Sequence, residues 1–172
     1  MLTMLDLRKI QIVNILNACA DIEKMTAEMY DFLAEKYKDI PEFSRLFVKT
    51  ACEERNHEYQ FKLAIKNFIP SICDITVADE VVARYAASVR DTFENLRKSV
   101  PALDNALEYA IILETEFRQF HMDMAVLFED QLSSKLFGAM MAADDNHIER
   151  LKQAHLMYGQ GGRDKGSVSI IR

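Results

Sequence analysis

Apolar residues recur at helical spacing across residues 6–38, at Ile10, Val13, Leu16, Ala20, Met25, Met29 and Leu33. No proline interrupts the run, and this spacing places the apolar set on one face of a long helix. Pro41 predicts a turn, with Asp39 near the boundary. A second helix is expected from Glu42 to about Phe68, through Phe43, Leu46, Phe47, Cys52, Phe61 and Ile65, before Pro70 and the stretch PSICDIT break it. Residues 78–100 form a shorter amphipathic pattern that stops before Pro101. A third long helix is predicted over about 102–130, a short turn at Asp130-Gln131-Leu132-Ser133, and a fourth helix over about 134–158 that Ser133 or Ser134 would cap.

Two long-helix hairpins, each with a short turn, are thus joined by a crossover that carries the helix at 78–100. That connectivity predicts an all-α, ferritin-like four-helix bundle with an extra helix in the crossover. Residues 1–158 form the bundle domain, and 159–172, which hold four of the five glycines, are expected to be a flexible C-terminal tail. Composition agrees: 49% of residues are apolar, with only 5 Gly and 3 Pro for turns. A net charge of −6 argues against nucleic acid, which needs a basic stripe. No segment approaches a membrane span. The three cysteines, Cys19, Cys52 and Cys73, form no C-x-x-C; reduced thiols point to the cytoplasm.

The two hairpins repeat each other chemically. At an offset of 91, Glu23 aligns with Glu114 and Tyr30 with His121; after the turn the offset is 90, and Glu54 aligns with Asp144 and His57 with His147. Glu54-Arg-Asn-His57 and Asp144-Asp-Asn-His147 each hold an acid and an imidazole at i and i+3, on one helix face and within reach of one metal. Glu23 and Glu114 each stand on the partner helix among apolar neighbours. Four helices would deliver four carboxylates and two imidazoles to one interior, where ionised acids are too costly without cations. Two divalent ions would neutralise them. The expected metal ligands are therefore Glu23, Glu54, His57, Glu114, Asp144 and His147. Tyr30, two turns from Glu23 on the same face, is expected beside them, while Glu53 and Asp145 are assigned to solvent.

These motifs resemble the rubrerythrin-like branch of the ferritin-like di-iron carboxylate proteins, over about residues 8–158. Glu23-x6-Tyr30 looks like that family's first-helix glutamate and tyrosine, and Glu54-x-x-His57 like its second-helix pair. Glu114 is similar to the third-helix glutamate, and Asp144-x-x-His147 to the fourth-helix pair. The resemblance implies two iron ions, with manganese or zinc as alternatives, and reduction of peroxide or oxidation of ferrous iron with oxygen. It also implies a homodimer. Three departures stand out. Asp144 replaces the usual Glu, shortening the reach at that corner. His121 stands where a second tyrosine often sits. With no C-x-x-C module, electrons for a peroxidase must come from a separate donor protein. Glu108 and Glu116 are further third-helix acids, Glu116 on the surface side.

Hard carboxylate oxygens with imidazole suit iron or manganese, so the leading expectation is a di-iron oxidoreductase. A non-catalytic iron-binding or storage protein would use the same bundle but needs a cage. A helical interaction module with a residual metal site is the third reading.

Overall fold

The computed structural model describes residues 4–68, 72–75, 77–123, 126–128, 131, 134–135, 138 and 144–164. Among them α1 (Met4–Lys36) and α2 (Pro41–Phe68) form the first hairpin, and α3 (Asp79–Lys98) lies in the crossover. The second pair is α4 (Leu103–Asp123) and α5 (Asp144–Asp164). The fold is the ferritin-like all-α bundle that the apolar periodicity predicts.

The first hairpin closes tightly. The Ile40 amide donates to Tyr37 O at 2.9 Å, the Ser44 hydroxyl donates to Ala34 O at 2.9 Å, and Pro41 opens α2, where its missing N–H costs nothing. Ile15, Leu16, Ile22, Met29 and Leu33 of α1 and Phe47 and Phe61 of α2 are all buried in the core. Helix α3 lays Val82, Val89, Phe93 and Leu96 inward. These positions share one helix face, and Phe93 meets Phe32 of α1 edge-on with ring centroids 5.9 Å apart. Tyr37 of the first turn donates its hydroxyl to Pro101 O at 2.5 Å, tying that turn to the start of α4.

Two elements depart from expectation. The third helix ends at Asp123 instead of about 130, and β2 (Val126–Phe128) follows, antiparallel to β1 (Ile72–Ile75). Ile75 pairs with Val126 and Ile72 with Phe128, with an irregularity between Ile72 and Asp74. Residues rich in β-branched and aromatic side chains take a ladder where a partner strand is offered, and the PSICDIT stretch offers one. Helix α5 continues to Asp164, past the expected boundary at 158, with Gly159 in open space. The remaining tail, 165–172, and the turn at 130 and 132–133 lie outside the described residues. Among the described residues no helix is long and apolar enough to cross a membrane.

Candidate metal centre

The stripe that packs each helix also carries its polar chemistry. On α1, Glu23 and Thr26 interrupt the buried series Leu16, Cys19, Ala20, Met29, Tyr30; on α2, Glu54 and His57 fall between Ala51 and Phe61. On α4, Glu114 lies between Ala110 and Phe117, and on α5 His147 begins the series that Ile148 and Leu151 continue. Side chains at core spacing converge on the bundle axis, so acids and imidazoles placed there must meet one another. Glu23, Glu54, Glu114 and His147 are each 1% exposed and His57 3%.

They meet as two triads that share one carboxylate. Glu23, Glu54 and His57 form one; Glu54, Glu114 and His147 form the other, with candidate ligand atoms within 4.8 Å of one another in each. His57 Nδ1 lies 3.4 Å from Glu54 Oε2 and 3.8 Å from Glu23 Oε2. His147 Nδ1 lies 2.9 Å from Glu54 Oε1 and 3.4 Å from Glu114 Oε2. Glu54 therefore turns one oxygen to each imidazole. The two rings stack, 5.5 Å apart at 17°.

The donor set fits a pair of cations. Glu54 Oε1 and His147 Nδ1 are close, yet the approach lacks hydrogen-bond geometry and neither atom has a hydrogen bond. Buried polar atoms without hydrogen bonds are expensive, and a cation between them removes the cost. In the metal-free chain protons must do this work instead. Burial opposes charge on His57, but hydrogen bonding and charge from Glu23 and Glu54 outweigh it and raise the imidazole to about 11. Burial likewise opposes charge on His147, but the Glu114 and Glu54 carboxylates beside Nδ1 outweigh it and raise the ring to about 10. Burial, with the charge of Glu54, lifts Glu114 above the usual carboxylate range, while His147 and Tyr30 pull it down. The Tyr30 hydroxyl donates to Glu114 Oε1 at 2.5 Å; burial first, then the Glu114 charge, raises its pKa well above the ordinary phenol value.

A family model described as Rubrerythrin matches residues 14–102, which is 89 of the 172 residues. The chain belongs to the rubrerythrin family. The match takes in Glu23, Tyr30, Glu54 and His57 and stops before Glu114; the convergence of Glu114 and His147 on the same carboxylate is a finding of the structure. Searches of curated proteins and of solved structures each return no match.

For a rubrerythrin-family chain the placement of the remaining residues is informative. Of the six expected ligands, Glu23, Glu54, His57, Glu114 and His147 come together; Asp144 is the first residue given for α5, but its side chain lies outside the described residues, as does that of His121. Glu108 and Glu116 are exposed. Cys52 is exposed, so it is not the buried thiol that its apolar helix pattern suggests, whereas Cys19 is buried one turn before Glu23; burial, then that charge, pushes the Cys19 thiol up. His155 pairs with Asp104 of α4 at 2.9 Å. Glu53 is not a solvent residue. Its Oε2 sits 3.1 Å from His147 Nε2 and also accepts from Arg150. The repeat hid this pair: at the 90-residue offset Glu53 aligns with Ala143 and Arg150 with Gln60, so nothing in the other half marks them.

Proposed function

We propose that the chain is a di-iron oxidoreductase that reduces peroxide or oxidises ferrous iron with oxygen. The observation that carries the reading is the pair of buried carboxylate–imidazole triads joined through Glu54. Glu23 and His57 would hold one ion, Glu114 and His147 the other, and Glu54 would reach both; Asp144 is proposed as the remaining ligand. When bound, two ferrous ions would supply one electron each, the two that reduction of one peroxide to water, or of one oxygen to peroxide, consumes. The residues do the rest. Glu54 keeps its two oxygens directed to opposite triads, Tyr30 holds a proton on Glu114 Oε1, and buried Phe47, Phe61, Phe117 and Phe120 exclude water from the bundle interior. Tyr30 binds Glu114 Oε1, while Glu114 Oε2 is the oxygen that faces His147. Electrons for repeated peroxide turnover would come from a separate donor protein.

Anaerobic reconstitution with ferrous iron or manganese, followed by metal analysis, tests the site: two ions per chain are expected, and none in Glu54→Ala. Iron-loaded protein should then consume one peroxide per chain in a single turnover, and continue only when a reductant is added. Less than one ion per chain, or loaded protein inert to both peroxide and oxygen, overturns the reading. Metal loading without either reaction would favour storage.

A further inference from the structure

We infer that Glu53 and Arg150 are positioning residues that hold the His147 ring so that Nδ1, and not Nε2, faces the metal; the inference rests on the proposed dinuclear site. His147 is buried and its two nitrogens meet different surroundings. Nδ1 lies among Glu54 and Glu114, whereas Nε2 lies 3.1 Å from Glu53 Oε2 on the far side of the ring. An imidazole that donates Nε2–H to a carboxylate keeps its lone pair on Nδ1, and the negative charge behind the ring makes that lone pair a stronger metal donor. Glu53 is itself fixed: Arg150, one turn beyond His147 on α5, donates to the same Oε2. Both are about a quarter exposed, so the pair closes the gap between α2 and α5 at the edge of the buried cluster.

Glu53 and Arg150 have no chemical counterpart in the sequence at the 90-residue offset. Ala143 and Gln60 occupy the equivalent positions and can supply neither the carboxylate nor the guanidinium. Losing Glu53 should therefore act on the ion held by Glu54, Glu114 and His147 far more than on its neighbour. The cause would be ring orientation, not general loosening of an interhelical ion pair.

Anaerobic titration of the full-length chain with Co(II), followed by its ligand-field absorption, tests this. Wild type should take up two equivalents. In Glu53→Ala one equivalent weakens by about 10- to 100-fold while the other stays within about 3-fold. Glu53→Gln, whose amide oxygen still accepts from Nε2–H, should fall between the two. Arg150→Met should weaken the same equivalent, and add nothing in a Glu53→Ala background. Asp31→Asn, which removes the exposed Asp31–Arg55 pair between α1 and α2, is the control and should leave both equivalents unchanged. Nitrogen-15 shifts of His147 in the zinc-loaded wild type give a reading that no variant needs to fold for: protonated Nε2 and metal-bound Nδ1 are expected, and the opposite tautomer overturns the inference. Equal or absent effects of Glu53→Ala and Glu53→Gln on the two equivalents overturn it too, while two bound ions in wild type leave the proposed site standing. A wild type that binds no metal overturns both.

Discussion

Tyr30 is fully buried, stacks near Phe47 with centroids 6.1 Å apart, and spends its one proton on Glu114. Removing that proton donor leaves a buried carboxylate oxygen without its bond. Tyr30→Phe should therefore destabilise the metal-free protein by about 1 to 3 kcal/mol, measured by urea unfolding. It should also alter how strongly Glu114 donates to a metal, visible as a changed ligand-field spectrum in the cobalt-loaded protein. An unchanged unfolding midpoint would show that the 2.5 Å contact contributes nothing. Sequence alone placed Tyr30 beside Glu23 on α1, its own helix. It could not show that the hydroxyl crosses to Glu114, because that pairing depends on how the two hairpins dock. The burial of the five described candidate ligands was legible for a simpler reason: an acid or imidazole at core spacing has nowhere to point but inward. Glu53 and Arg150 were illegible because both fall off the core stripe and neither repeats.

At the scale of elements, apolar period and proline placement gave α1, α2 and α3 to within a few residues, since each is bounded by a strong local signal such as Pro41 or Pro101. The end of α4 was misread. Val126 and Phe128 carry an apolar pattern that suits either helix or strand, and the choice is made by β1, which is remote in sequence. Helix α3 is held by packing more than by its own propensity. Phe93, buried between Phe32 and the guanidinium of Arg97, is its anchor. Phe93→Ala should cost about 3 to 5 kcal/mol, whereas Tyr59→Ala, at 65% exposure on α2, should stay within about 0.5 kcal/mol in the same denaturant titration.

For the molecule as a whole, charge balance at the centre sets the response to pH. In the metal-free chain His57 and His147 are raised to about 11 and about 10, and Glu114 is raised as well. Groups that bind protons more tightly when folded contribute fully below their unfolded values, near 6.5 for the imidazoles, and lose that contribution as pH rises through 10 to 11. The melting temperature of metal-free protein should therefore fall from pH 6 towards pH 10. Metal-loaded protein should fall less, because cations take over the role of the protons; a metal-free melting temperature that rises over this range would refute the account. Glu23, Glu54 and Glu114 stand far inside α1, α2 and α4, with helix on both sides. Ions held there would tie the middles of these helices to one another, so amide hydrogen exchange at 22–24, 53–55 and 113–115 should slow on metal addition by a larger factor than at 80–82, in the first turn of α3.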